Sequence, residues 1–282
     1  MNAVEVSGLR KSYDGVEAVR GIDFELRSGE VFGLLGPNGA GKTTTVEILV
    51  GYRRRDAGEV RVLGADPERA ARTWRGRIGV VPQSGELFPN LSVLEHLELF
   101  AGYYEKPRPA REVLALVGLE EKAGAKSRTL SGGQRRRLDL GVALVGDPEL
   151  LFLDEPTTGF DPSARRAAWD TIRALRSLGK TILLTTHYIE EAHRLADRVA
   201  VLRKGEIVAS GTPAELIAQG PSTVIRYRRD GEEVVVETEE PVRVLHELTS
   251  QALRDGFELE GLEVHRPTLE EVYLSLTEEL AG

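Results

Sequence analysis

The chain has 282 residues, of which 41% are hydrophobic and 29% charged, with a formal net charge of −8 and no cysteine. That length suits one large α/β domain with a small appendix, and the composition argues against a disordered chain. The lack of cysteine excludes disulfides and thiolate metal sites, and His96, His187, His193, His246 and His265 make no spacing that would coordinate a metal on one helical face, so any metal must arrive with a substrate.

In chain order, residues 1–10 contain no basic segment followed by an apolar one, and nowhere does a run of about 18 apolar residues offer a membrane span, which implies a cytoplasmic chain. Segments 4–9, 22–26 and 59–63 alternate apolar and polar residues, with turns at Asp14-Gly15, Ser28-Gly29 and Ala57-Gly58, and predict a small antiparallel layer. Segments 31–35, 78–81, 150–153, 181–185 and 199–202 are continuous apolar or β-branched runs of the length of buried parallel strands, with helices between them. No strand pattern falls between Pro89 and Pro148. There Ser92-Val93-Leu94-Glu95 reads as a capping box, followed by Leu94, Leu97 and Phe100 at helical intervals, so residues 84–148 are expected to form a mainly helical insertion.

A short helical stretch at 214–219 and the breaker pair Gly220-Pro221 close the expected first domain, residues 1–220. The expected second domain, residues 221–282, holds six arginines against fifteen acidic residues, a net of −9 that leaves the rest of the chain at +1. Such acidity repels phosphate backbones, so nucleic acid is not expected as a partner. Segments 223–228 and 234–238 flank Asp230-Gly231 as a hairpin, 242–253 predicts a helix and 257–264 a strand. Thr268-Leu269-Glu270-Glu271 is a second capping box, before a helix with an apolar stripe of Leu269, Val272, Tyr273, Leu276 and Leu280. A β-β-α-β-α module serving assembly or regulation is the expectation.

Gly36-Pro37-Asn38-Gly39-Ala40-Gly41-Lys42-Thr43-Thr44 follows one predicted strand and opens a predicted helix at 43–50, the context a phosphate-binding loop requires. Its glycines let the backbone curl until N–H groups converge on phosphate oxygens, and the helix N-terminus adds positive partial charge. Lys42 reaches the β- and γ-phosphates, and the Thr43 hydroxyl can ligate Mg²⁺. Run 150–153 ends in Asp154-Glu155. At the carboxyl end of a parallel strand, Asp154 faces the same crevice as Lys42 and can hold Mg²⁺ directly or through water, while Glu155 is placed to polarise a water for attack on the γ-phosphate. By itself an acidic pair after a strand reads equally as a helix cap or a solvated turn; the phosphate loop upstream favours the chemistry. The predicted fold class is therefore α/β: a P-loop NTPase core with an antiparallel subdomain, a helical insertion and a C-terminal α+β module.

Leu130-Ser131-Gly132-Gly133-Gln134, shortly before the acidic strand, resembles the signature sequence of ATP-binding cassette proteins, and the resemblance runs from about Val4 to Leu216. It implies that Tyr13 stacks on adenine, that Gln83 joins the core to the insertion and reaches the metal, and that His187 senses the γ-phosphate. It also implies that Asp161, in Thr158-Gly159-Phe160-Asp161-Pro162, belongs to a dimer-interface loop, although Phe160 stands where leucine is usual. Taken singly, Tyr13 reads as a surface aromatic, His187 as a polar group at a strand end and Gln83 as a loop residue.

The family's arrangement implies a head-to-tail homodimer or heterodimer with another such ATPase subunit. Each of two ATP molecules would lie between residues 36–44 of one chain and 131–134 of the other. Hydrolysis would open the pair and pass its motion to a separate transmembrane permease, with the chain peripheral on the inner membrane face. Arg135-Arg136-Arg137 reads as a solvated face or a helix-packing stem rather than a nucleic-acid patch. Residues 134–140 and 266–274 resemble ATP subunits of daunorubicin-resistance and related multidrug exporters, which implies export. An uptake ATPase stays open as an alternative, as does a cassette ATPase acting on nucleic acid or ribosomes, although no second cassette or coiled-coil insertion is visible. ATP binding without turnover is opposed by Glu155.

Overall fold

The computed structural model describes residues 1–220, 222–229 and 231–278. The chain divides into two compact units, Met1–Thr212 and Pro213–Gly282. The first begins with β1 (Asn2–Tyr13), β2 (Val16–Arg27), β3 (Val31–Leu35), α1 (Lys42–Leu49), β4 (Ala57–Val62), α2 (Arg72–Arg75) and β5 (Ile78–Val81). The insertion follows with α3 (Val93–Ala101), α4 (Ala110–Leu116) and α5 (Gly132–Leu144). Then come β6 (Leu150–Asp154), α6 (Pro162–Ser177), β7 (Thr181–Thr186), α7 (Ile189–Leu195), β8 (Arg198–Arg203) and β9 (Glu206–Gly211).

The alternating segments form an antiparallel sheet ordered β2-β1-β4, and the continuous apolar runs form a six-stranded sheet ordered β5-β6-β7-β3-β8-β9. Pairing is parallel from β5 through β8, whereas β9 adds antiparallel at the edge. The apolar-run pattern did not single out β9, because none of its six residues is fully buried. Both faces of the central sheet are covered, which is why its parallel strands are apolar through their middles, with polar residues such as Asp154, Thr181, Thr185 and Arg198 only toward the strand ends. Phe32, Leu150, Phe152 and Leu183 face a core shared with the antiparallel sheet and α1. Val31, Leu151, Leu153, Ile182 and Leu184 face the opposite core, built with α3 to α7. Phe24 stacks on Phe32 at 5.3 Å between ring centroids and fastens the antiparallel layer to the sheet.

The insertion starts as its sequence requires. Glu95 N–H donates to Ser92 Oγ (3.2 Å) and Ser92 N–H to Glu95 Oε2 (2.6 Å), a reciprocal capping box. Val93 and Leu97 are fully buried below it.

In the second unit, α8 (Pro213–Ala218) precedes β10 (Thr223–Arg229), β11 (Glu232–Thr238), α9 (Pro241–Asp255), β12 (Glu260–His265) and α10 (Leu269–Glu278). Its sheet is ordered β11-β10-β12 and antiparallel throughout. Helix α8 groups with this unit, where Leu216 is buried and α8 rests against α10. The strand expected from 257 begins only at Glu260, because Gly256 caps α9 in a left-handed conformation and Phe257 takes the Arg229 guanidinium over its ring at 4.1 Å. Leu269 and Val272 of the expected stripe are buried. Pro221, Asp230, Leu280 and the side chain of Leu276 lie outside the described residues.

Candidate active site

Parallel strands place their carboxyl ends on one edge, and the loops after β3, β5, β6 and β7 carry the predicted nucleotide residues there. Loop 36–41 leaves β3 and turns directly into α1. A Cβ on Gly36 would lie 2.2 Å from Leu202 O, and Gly41 combines φ +106° with a Cβ position 2.4 Å from Ala18 O, so neither position accepts a side chain. Pro37, Asn38 and Gly39 are exposed while Ala40 is buried, which leaves the crest of the loop open to a ligand. Lys42 folds back over it, donating to Gly36 O (2.8 Å) and Pro37 O (3.1 Å).

Glu155 is the hub. Its Oε1 lies 3.2 Å from Lys42 Nζ, and its Oε2 accepts from Thr158 Oγ1 (3.0 Å) and Gln83 Nε2 (3.3 Å). His187 Nδ1 lies 3.3 Å from the same Oε2 without the alignment of a hydrogen bond. The Glu155 backbone sits at φ 47°, an uncommon conformation for a side-chain-bearing residue, and swings the carboxylate from the strand end into the cluster. Burial opposes ionisation, but the Lys42 charge and hydrogen bond, with Thr158 and His187, outweigh it and hold this carboxyl below its ordinary range.

Asp154 accepts a 2.5 Å bond from Thr185 Oγ1, which in turn accepts from Glu155 N–H at 3.0 Å. Thr185 stands opposite Asp154 in the β6–β7 register, so one hydroxyl fixes both acids. Burial raises the Asp154 pKa, with Glu155 adding to the effect and bonds from Thr185 and Thr43 opposing it. Thr43 and Asp154 thus offer hydroxyl and carboxylate oxygens side by side, while no group of three or more His, Cys, Asp or Glu able to hold a metal occurs among the described residues. Few protein oxygens and one carboxylate suit Mg²⁺ bound jointly with substrate phosphates.

The signature residues lie apart from this cluster. Ser131 caps α5, its Oγ accepting from Gln134 N–H (3.3 Å) while Gln134 Oε1 accepts from Ser131 N–H (2.9 Å), and Gly132 and Gly133 form the first turn. Asp161 caps α6 through Ser163 and Ala164 N–H (2.9 and 2.8 Å). Signature and Asp161 line one cleft of about 420 Å³. Thr44 is half-buried on α1. Tyr13 ends β1, with Arg53 at 5.0 Å and Lys11 at 5.5 Å over its ring and a buried hydroxyl that has no partner among the described residues.

The model of the family described as ABC transporter matches residues 19–158. The "Nod factor export ATP-binding protein I" of Ralstonia nicotianae is 41% identical over 301 residues, covering 97% of this chain and 93% of that protein. The chain belongs to the ABC transporter family. It is the ATP-binding, ATP-hydrolysing subunit. The protein of the same name from Paraburkholderia xenovorans is 47% identical over 221 residues, covering 77% of this cassette and 73% of that chain. A solved ATP-binding subunit of an ABC transporter overlays with a TM-score of 0.73 at 24% identity, covering 98% of the cassette and 100% of its own chain, a likeness of fold.

Sequence reasoning missed two groups in the cassette. Thr185 lay inside a recognised strand run, with nothing local to show that it points at Asp154. The arginine triplet, expected as a solvated face or packing stem, is neither uniformly solvated nor uniform in role. Arg135 Nε donates to Leu130 O and Arg137 Nη1 to Gly118 O, whereas Arg136 is half-buried and bonded to the carbonyl groups behind Glu155.

Proposed function

We propose that this cassette drives export through a separate permease, with Glu155 as the carboxylate that orients the attacking water. The observation that carries the reading is the convergence of Lys42, Gln83, Thr158 and His187 on one buried carboxylate beside Asp154. Residues 36–44 bind the phosphates of ATP, with Lys42 on the β- and γ-phosphates and His187 placed to sense the γ-phosphate. Thr43, Asp154 and Gln83 hold Mg²⁺, which when bound neutralises phosphate charge. Tyr13 offers its ring to adenine.

Ser131, Gly132, Gly133 and Gln134 present a helix N-terminus suited to an anion, but Lys42 lies in a separate cluster. A second cassette arranged head to tail supplies the missing side of each nucleotide, with Asp161 in the contact loop; the solved structure of a dimeric bacterial ABC transporter cassette, 27% identical with a TM-score of 0.67 over 74% of this chain and 98% of its own, supports that arrangement. Export is supported by the names of the relatives. No helix among the described residues is long and apolar enough to cross a membrane, in keeping with attachment to the inner face through the permease.

Glu155→Gln tests the central assignment, because the amide keeps the shape and loses the charge. Mg-ATP affinity is expected to stay within a fewfold and hydrolysis to fall by about a hundredfold or more. Turnover near the parental rate would remove Glu155 from the role.

A further inference from the structure

Helix α5 starts at the signature turn, and Arg136 sits on it less than two turns from Ser131. Its side chain is 12% exposed. Nη1 donates to Pro82 O (2.5 Å) and, at 3.4 Å, to Gln83 O. Nη2 donates to Asp154 O (2.6 Å) and Glu155 O (3.2 Å), and Nε to Pro156 O (3.3 Å). All three guanidinium nitrogens therefore face backbone carbonyls, and the nearest acid, Asp139, lies at 4.0 Å. The five carbonyls belong to the chain just after β5 and at the end of β6, the two segments that carry Gln83 and Glu155.

This geometry suits arginine alone. The planar fork presents donors in several fixed directions and can hold two adjacent strand ends at once; a lysine ammonium radiates its donors from a single point. Charge-assisted bonds in a shielded setting are stiff compared with neutral ones. A shift of the Gln83 or Glu155 backbone must then either carry α5 along or break several such bonds together.

We propose that Arg136 is a positioning residue that couples the Lys42–Glu155 site to the signature turn, so that nucleotide held by one face of the chain changes the presentation of Ser131–Gln134 on the other. The proposal rests on the nucleotide role assigned above to both faces. A packing stem would behave differently, since methionine or lysine preserves most of its apolar length.

Full-length parent, Arg136→Lys and Arg136→Met are compared by calorimetric titration with Mg-AMP-PNP, by steady-state ATP hydrolysis, and by backbone hydrogen exchange across 131–138 with and without that nucleotide. Both variants are expected to keep nucleotide affinity within about threefold while kcat falls at least about tenfold. The parent should show an exchange change in 131–138 on nucleotide addition, and both variants should lose it. Lysine should fail to rescue, because charge without the fork cannot bridge both segments. Should Arg136→Met fail to fold, Arg136→Lys carries the comparison. The proposal is overturned if either folded variant retains kcat within threefold, if affinity falls as far as kcat, if the exchange response survives in Arg136→Lys, or if the parent shows none. A parent that binds no nucleotide would instead overturn the nucleotide assignment itself.

Discussion

At Asp139, one turn beyond Arg136 on α5, a carboxyl is pushed up to about 6 by burial, with Arg136 only partly opposing the shift. The folded chain holds this proton more tightly than the unfolded chain. Folding is therefore penalised as pH rises from the unfolded value near 4 through about 6, and the whole penalty stands above that. Asp139→Asn removes the titration. The stability of that variant relative to the parent should grow between pH 4 and pH 7 by on the order of 2 kcal/mol, measured by urea unfolding at each pH. A difference that is flat with pH would show that the carboxylate ionises inside the fold without cost. Glu191 illustrates the same physics in a core: its carboxylate accepts from Thr157 Oγ1 (2.8 Å) and Trp169 Nε1 (3.0 Å). Burial raises its pKa although those bonds oppose the shift. It thereby ties α7, which follows His187, to the loop that follows Glu155 and to α6.

At the scale of elements, the insertion depends on its first cap. Glu95 is held at about 2 chiefly by the Ser92 N–H, with the Ser92 hydroxyl and Lys126 assisting. Its folded pKa is depressed, so its contribution is present above the unfolded value of about 4.5 and is lost as pH falls toward 2. Ser92→Ala should cost about 1 kcal/mol at neutral pH, read by thermal unfolding, and should weaken the pH dependence of the insertion between those limits. A loss of less than a few tenths would mean that Val93 and Leu97 packing alone positions α3. Elements also account for what was legible along the sequence. The loop at 36–44, the pair Asp154-Glu155 and the turn at 131–134 are contiguous, and each has a local reason for its residue types: glycine where a Cβ collides, acids at a strand end, small residues on a helix start. Strand β9 escaped because an edge strand with partial exposure lacks the continuous apolar run of its neighbours.

For the whole molecule, the proposed composite site gives a mixing experiment. Lys42→Ala removes phosphate binding, whereas Gly132→Asp puts a carboxylate where the signature must meet phosphate. Neither should dimerise alone with Mg-ATP, but together they retain one site with an intact loop and an intact signature. Light scattering should detect ATP-dependent heterodimers in the mixture, and their complete absence would count against the head-to-tail arrangement. The second unit provides an independent test, since every proposed nucleotide residue precedes Pro213. A chain ending at Thr212 should keep ATP affinity within a fewfold while losing dimer stability, permease association, or both. Loss of ATP binding in a truncated chain that remains folded by circular dichroism would assign the second unit to the nucleotide site.

The sequence by itself determined the chemistry-bearing motifs, the two-layer strand pattern, the capped insertion and the acidic second unit, because each is encoded by neighbours along the chain. Only the tertiary structure decided that Thr185 grips both Asp154 and Glu155, that Glu155 gathers Lys42, Gln83, Thr158 and His187, and that Arg136 rather than Arg135 or Arg137 reaches the strand ends. Those contacts join residues many positions apart, and they depend on strand register and helix rotation. A one-residue slip of β7 would turn Thr185 to the other face, and a one-residue turn of α5 would aim a different arginine at Glu155; composition and local pattern would be unchanged in either case.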